Sequence, residues 1–139
     1  MSDPFNLNRF LDAQAPVYAQ VCRELRAGAK RSHWMWFIFP QIAGLGFSPT
    51  SVFYAIRSLD EAKAYLDHPI LGARLREGVE LTLQVEGKTA AQIFGPVDAH
   101  KLRSSLTLFS RAAPGEAMFS EALKKYFGGE PDAATLAKL

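Results

Sequence analysis

Several features that mark particular classes of protein are scarce or missing in this chain of 139 residues. Its single cysteine, Cys22, cannot form an internal disulfide, which favours a reducing compartment. The longest apolar run, residues 34–39, is far shorter than the roughly 20 residues that a membrane-spanning helix needs. The first residues also lack the basic and then apolar pattern of a secretory signal. We therefore expect a soluble, cytoplasmic and monomeric protein with no membrane association.

An excess of charge of one sign is also missing. Lysine and arginine number 16 and aspartate and glutamate 14, which gives a formal net charge of +2. Proteins that bind nucleic acid usually carry a basic stripe, so nucleic acid is not indicated as a partner. The histidines, His33, His68 and His100, are dispersed and match no metal-ligand spacing. We accordingly predict no metal ion and no cofactor.

The residues that are plentiful indicate a helical domain. Apolar residues make up 48% of the chain, and no linker or repeat divides it, which predicts one domain over residues 1–139. Apolar residues recur every third or fourth position in several segments, whereas no hairpin signal or strand pair is visible. We predict a mainly α fold, a single compact domain of about seven to nine short helices rather than an up-down bundle.

Capping residues and prolines predict where these helices begin. Side chains or rings suited to a helix start occur at Asn6, Asn8, Pro16, Ser32, Ser48, Ser58, Thr89, Pro96 and Asp132. Ser58 and Glu61 also form a capping-box pattern. The longest helix is expected over residues 69–86, where Gly78 would permit close packing.

The most distinctive segment is residues 32–41, SHWMWFIFPQ, which contains both tryptophans. Its six consecutive apolar residues fit either a buried strand or a short helix, and periodicity does not decide between them. Ser32 as a cap and Pro40 as a stop favour the helix. The rings of Trp34, Trp36 and their neighbours are of the kind that fills a core.

The polar residues at the ends of this segment suggest a second interpretation, a ligand pocket. Lys30, Arg31 and His33 lie at its start and Gln41 at its end. In this hypothesis Trp34 or Trp36 stacks on a base-like ring, and Lys30 or Arg31 binds a phosphate. His33 would then line the pocket, with Gln41 or Tyr54 converging on it.

Two further groups of residues have ordinary structural explanations beside a functional one. The loop Gly44-Leu45-Gly46 precedes a helix start and could offer N–H groups to an anion, but most such loops are only turns. Asp98, Lys101 and Ser105 share one face of a predicted helix, where an Asp–Lys pair is usually a surface ion pair. Should the pocket catalyse a reaction, His33 and Asp98 are the acid–base candidates, and Lys101 is a candidate ligand-binding residue.

With these residues assembled, the chain resembles the domain-of-unknown-function 1810 family. The match is carried by residues 32–41, 44–46, 54–56, 65–69, 71–72, 93–95, 98, 101–102, 104–109 and 132–136. Leu106 stands where methionine is expected, a change that packing tolerates. The resemblance implies a mainly helical fold and no established reaction. A more distant likeness, at the level of the fold only, is to the YbiA-like proteins, some of which act on N-glycosidic bonds of nucleotide-type substrates.

Two functional hypotheses follow. The first is a pocket that binds a small nucleotide-like or phosphorylated molecule, with hydrolysis of an N-glycosidic bond as its reaction if it is an enzyme. The alternative is a non-enzymatic interaction module that docks a protein or RNA partner through aromatic and basic residues. A concave pocket favours the first hypothesis, and a flat exposed aromatic patch favours the second.

Overall fold

A computed structural model describes residues 3–139 and confirms the mainly helical fold class. In that part of the chain there are ten α-helices and no strand. The helices are α1 (Asn8–Gln14), α2 (Tyr18–Ala27), α3 (Met35–Ile38), α4 (Pro49–Phe53), α5 (Leu59–Asp67), α6 (Leu71–Leu83), α7 (Ala90–Phe94), α8 (Pro96–Ala112), α9 (Ala117–Phe127) and α10 (Ala133–Leu136). The number is one above the predicted range, and α3, α4, α7 and α10 are only four or five residues long.

The helix α8 lies at the centre of the fold. It packs against α5, α7, α9 and α10, while α6 forms a second centre against α2, α3, α5 and α9. Most of α8 beyond its first turn is buried, including every residue from Ser104 to Phe109. Because neighbours cover several sides of this helix, the arrangement differs from an up-down bundle, as predicted. No helix in residues 3–139 has both the length and the hydropathy to cross a bilayer.

The prediction for the longest helix is wrong. Residues 69–86 contain α6, which covers only Leu71–Leu83, whereas α8 is longer with 17 residues. Pro96 occupies the first turn of α8 and Asp98 places a negative charge near its N-terminus, both of which favour a helix start. Gly78 does serve close packing in α6, since a Cβ atom there would lie 3.3 Å from Cζ of Phe39.

Several predicted caps are confirmed. Ser48, Ser58 and Asp132 each accept a hydrogen bond from the backbone N–H three residues later, and Thr89 forms a complete capping box with Gln92. The box predicted for Ser58 is only half present, because the Glu61 carboxylate turns to Arg9 and to the Arg57 N–H.

Four other predicted helix starts are wrong, those at Asn6, Asn8, Pro16 and Ser32. Asn6 and Asn8 do not cap α1; the Asp3 carboxylate instead accepts from the N–H groups of Leu7 and Asn8 at 2.8 and 3.1 Å. Pro16 precedes α2, which begins at Tyr18. Ser32 does not cap α3, since its hydroxyl donates to Glu24.

Candidate functional site

The aromatic segment is anchored by a buried carboxylate from α2. Glu24 Oε1 accepts hydrogen bonds from the backbone N–H groups of Arg31 and Ser32 and from Trp34 Nε1, at 2.7, 3.0 and 3.0 Å. Its Oε2 accepts from the Ser32 hydroxyl and from Gln20 Nε2. Burial would raise the pKa of Glu24, but these bonds, the one from Ser32 first, outweigh it and lower the pKa to about 2.

This anchoring places the two tryptophans in different surroundings. Trp34 is 1% exposed, and its ring packs against Phe39 and Phe94 in the core. Trp36 is partly buried and lies at the edge of the domain, with the Lys101 Nζ 4.9 Å from its ring centroid. A ligand can therefore approach the Trp36 side chain, whereas the core encloses Trp34.

An ion-pair ladder connects the segment to α8. Lys30 Nζ lies 2.9 Å from Asp98 Oδ2 and 4.9 Å from the Trp34 ring centroid, and its side chain is 6% exposed. Asp98 Oδ1 lies 3.6 Å from Lys101 Nζ. Asp98 thus bridges two ammonium groups. One of them is covered by protein and the other, on a side chain 22% exposed, faces outward over Trp36.

The loop after the segment, residues 41–54, closes over this edge of the domain. Its base is fixed by an isolated parallel bridge, in which Ile56 N donates to Gln41 O and Ala43 N donates to Ile56 O, both at 2.8 Å. Gly44 has φ +97°, a conformation that other residues rarely adopt. A Cβ atom at Gly46 would lie 2.7 Å from the Ser51 Cβ, so glycine lets the two sides of the loop meet.

A groove opens between this loop, α8 and α10. Its volume is about 450 Å³, within the range of small-molecule sites. It is lined by Gln41, Leu45, Gly46, Ser51, Val97, His100, Lys101, Ser104 and Ala134. At one end it adjoins a small pocket of about 10 Å³, room for a single water molecule, whose lining includes Trp36, Gln41 and Tyr54. We call the two together the Lys101 groove.

A buried carboxylate lies next to His100, behind the α10 side of the Lys101 groove. Asp132 caps α10, and its Oδ2 accepts from Thr135 N, Thr135 Oγ1 and Ser104 Oγ at 3.0, 2.6 and 3.3 Å. Its Oδ1 lies 3.8 Å from His100 Nε2. Burial would raise the pKa of Asp132, but the Thr135 hydrogen bonds and the nearby His100 outweigh it and lower the pKa.

Comparisons with known proteins bear on this arrangement. The family described as "Protein of unknown function (DUF1810)" matches the chain over residues 4–139. The chain belongs to this family. The chain is also similar to a solved structure, that of the conserved hypothetical protein Rv1873 from Mycobacterium tuberculosis, with 56% sequence identity and a TM-score of 0.97. The similarity covers 99% of this chain and 98% of that one. No curated protein sequence matches the chain.

In this DUF1810 protein the residues predicted for a site separate into two sets. Trp36, Gln41 and Tyr54 line the small pocket, and Gln41 and Lys101 line the groove beside it. Asp98 pairs with Lys101 and also with Lys30, and neither Asp98 nor Lys30 lines the groove.

The remaining predicted residues lie outside the Lys101 groove. Arg31 and His33 are exposed and do not line it, and Trp34 is in the core. His33 and Asp98 are not in contact, so the two predicted acid–base candidates do not form a pair.

Sequence reasoning missed three residues as parts of the site: Ser51 and His100, which line the groove, and Asp132, which lies beside His100. Ser51 follows the predicted cap Ser48, so the sequence pattern indicates only a helix residue at this position. His100 lies next to Lys101, but in the sequence it is one of three dispersed histidines that match no metal-ligand spacing. Asp132 was predicted as a cap, which it is, but its proximity to His100 depends on the packing of α10 against α8.

Another concavity, of about 670 Å³, lies between the N-terminal residues and α4. Its lining includes Phe5, Phe47, Val52 and Phe53, and Phe47 is 86% exposed. The guanidinium of Arg9 lies at its edge but is fully occupied by hydrogen bonds within the protein. This surface is mainly apolar, in contrast to the Lys101 groove.

Proposed function

We propose that the Lys101 groove binds a small anionic molecule of the nucleotide-like or phosphorylated class. Lys101 supplies the positive charge, Gln41 and Ser51 supply hydrogen bonds, and Leu45, Val97 and Ala134 supply apolar surface. Cytoplasmic location and a monomeric state belong to the same proposal.

The observation that supports this proposal best is the state of the Lys101 ammonium. In the described part of the chain it donates no hydrogen bond; it is held only by Asp98 at 3.6 Å and by the Trp36 ring. An ammonium group has three donors, and a phosphate or carboxylate oxygen in the groove would satisfy them. Asp98 and Trp36 keep the side chain in place, so little side-chain entropy is lost on binding.

Hydrolysis of an N-glycosidic bond is the finer part of the proposal and rests on the fold-level likeness to the YbiA-like proteins. The two carboxylates near the groove, Asp98 and Asp132, are both engaged, one by ammonium groups and the other by α10. A reaction would therefore need a further proton-transferring group in contact with the ligand.

Replacing Lys101 with methionine tests ligand binding. We expect a panel of AMP, ADP-ribose and related N-glycosides to include a compound that stabilises the wild-type protein by about 2.7 kcal/mol at 100 times its dissociation constant. Lys101→Met should weaken that compound at least about tenfold, because a charge-assisted hydrogen bond is lost. Thermal shift and calorimetric titration provide the two measurements.

The matched control is Lys63→Met, which removes an exposed lysine of α5 outside the groove and should leave the affinity unchanged. Incubation of the bound compound with the protein, followed by chromatography for free base and sugar, tests the hydrolytic part. If no compound of the panel stabilises the wild-type protein, the proposed function is wrong.

A second candidate function, docking of a protein partner, is favoured by one surface. Phe47, Val52 and Phe53 are 86%, 56% and 53% exposed and lie together along the concavity beside α4. Exposed apolar groups of this size are common at interaction sites. If that partner is a second copy of this chain, in place of the monomeric state of the first proposal, Phe53→Ser should abolish a concentration-dependent association in analytical ultracentrifugation and Lys101→Met should not. A protein that sediments as a monomer at every concentration contradicts a partner of this kind.

A further inference from the structure

The Lys101 groove contains a second ionisable side chain, His100, to which the proposed function assigns no role. His100 immediately precedes Lys101 on α8, and both residues line the groove. The His100 side chain is 65% exposed, so a ligand can reach it. Its Nε2 faces Asp132 Oδ1 at 3.8 Å, which leaves Nδ1 without a protein partner in the described residues.

Asp132 is held firmly enough to orient this imidazole. Three hydrogen bonds from Thr135 and Ser104 fix its Oδ2, and its backbone N–H donates to Thr107 Oγ1 at 2.9 Å. Only Oδ1 is left, and it points at His100. A fixed carboxylate on one side of an imidazole sets the direction of the ring.

The other groups around the imidazole are neutral or cationic. The loop wall of the groove contributes Gln41 and Ser51, and α10 contributes Ala134 in addition to Asp132. On α8 itself, Lys101 is the neighbour, and the Ser104 hydroxyl oxygen lies 3.2 Å from the His100 carbonyl oxygen. The Ser48 hydroxyl donates to Ser51 Oγ at 2.8 Å, so the Ser51 hydroxyl proton is left for a ligand.

The local charge count favours a ligand with two negative charges. Among the described residues that line the groove, Lys101 is the one charged side chain, and no carboxylate is among them. Behind it, Lys30 and Asp98 neutralise each other as an ion pair. Lys101 thus gives the lining one positive charge, and a protonated His100 adds a second. A carboxylate or a phosphodiester carries one charge, whereas a phosphate monoester carries up to two at neutral pH.

We infer that the Lys101 groove is specific for a phosphate monoester, whose dianion binds between the Lys101 ammonium and the His100 imidazolium and accepts a hydrogen bond from Ser51. This inference rests on the proposed function, because it names the anionic end of the ligand that the groove is proposed to bind. His100 thereby makes ligand binding depend on pH, with Asp132 as its positioning residue.

The pH dependence of AMP affinity tests the inference. Imidazole titrates near pH 6.5 and a phosphate monoester near pH 6, so we expect the affinity to rise about fourfold as the pH falls from about 8.5 to about 6.5. In His100→Gln the affinity should stay flat over this interval. His33→Gln, which alters an exposed histidine outside the groove, should behave like the wild-type protein.

Ligand chemistry supplies a second comparison within the same experiment. Cyclic AMP keeps the base and sugar but carries a phosphodiester with one charge, and adenosine has no phosphate. We expect AMP to bind the wild-type protein about tenfold more tightly than cyclic AMP, since one charge-assisted contact is lost. The His100 ring-proton resonances should move on addition of AMP, while those of His33 and His68 should not.

The outcomes separate the inference from the function on which it rests. If AMP binding depends on Lys101 but the pH response persists in His100→Gln, or if cyclic AMP binds as tightly as AMP, the inference is wrong and the proposed function stands. If AMP, cyclic AMP, adenosine and ADP-ribose all fail to bind, both are wrong. A flat pH profile in His100→Gln only, together with a preference for AMP, supports both.

Discussion

Replacing Arg9 with methionine is expected to lower the free energy of unfolding by about 3 to 5 kcal/mol, because a buried carboxylate loses its partner. Arg9 Nη2 lies 2.7 Å from Glu61 Oε2, and the two side chains are only 7% and 2% exposed. The other guanidinium donors bind the backbone carbonyl groups of Phe5, Asn6, Phe53 and Ala55. All five N–H groups are therefore used, a geometry that lysine or methionine cannot reproduce.

Urea unfolding followed by tryptophan fluorescence measures this effect, with the midpoint compared at constant slope. Arg57→Met removes an exposed arginine of the same region and should change stability by less than about 0.5 kcal/mol. The double variant Arg9→Met with Glu61→Leu should recover part of the loss, because no unpaired charge remains in the interior. A loss below about 1 kcal/mol in Arg9→Met would contradict the assignment of a buried ion pair.

The Arg9 pair also matters for the Lys101 groove. By binding the carbonyl groups of Phe53 and Ala55, Arg9 holds the end of α4, and Tyr54 and Ala55 line the small pocket. Tyr54 packs against the Phe10 and Phe37 rings, with centroids 5.9 and 5.4 Å away. Changes at Arg9 should therefore reach the pocket through the loop that forms one of its walls.

The helical fold could be predicted because its determinants are local. The apolar stripe of α6, the proline that opens α8 and the caps at Ser58 and Asp132 depend on residues within a turn or two of each other. The predicted cap at Asn8 failed because the Asp3 carboxylate accepts from the N–H groups at the start of α1, and the one at Ser32 failed because its hydroxyl donates to Glu24. Capping rules rank the residue types at one position, and they take no account of carboxylates elsewhere in the chain that bind the same groups.

The candidate site was predicted only in part, because it depends on contacts between distant segments. Gln41, Tyr54 and Lys101 were named from the aromatic segment and from helix spacing, and all three line the groove or its small pocket. The position of His100 against Asp132 joins residues of α8 and α10, and no periodicity in the sequence reports it. The sequence also does not report that Trp34 is buried and held by a hydrogen bond from its Nε1 to Glu24. In the sequence Glu24 lies among cations and resembles a surface residue.

Replacing Glu24 with glutamine is expected to lower the free energy of unfolding by on the order of 3 kcal/mol at neutral pH. The glutamine oxygen can still accept from the three donors to Oε1, though as a neutral group, but its amide nitrogen would face the donors Gln20 Nε2 and Ser32 Oγ. Two acceptor contacts and the charge are therefore lost in a buried site. Because Glu24 also fixes the Trp34 indole, the variant should change the tryptophan emission spectrum of the folded protein.

The pH dependence of this loss identifies its cause. The pKa of Glu24 falls from an ordinary 4.5 to about 2 in the folded protein, so its stabilising contribution is complete above pH 4.5 and disappears as the pH falls through 2. The difference in unfolding free energy between the wild-type protein and Glu24→Gln should thus shrink by more than half between about pH 7 and about pH 3. Glu121→Gln, an exposed position on α9, should show no comparable difference at either pH. If the loss in Glu24→Gln is equal at both pH values, packing of the amide rather than the anchoring carboxylate explains it, and the aromatic segment is held by its rings alone.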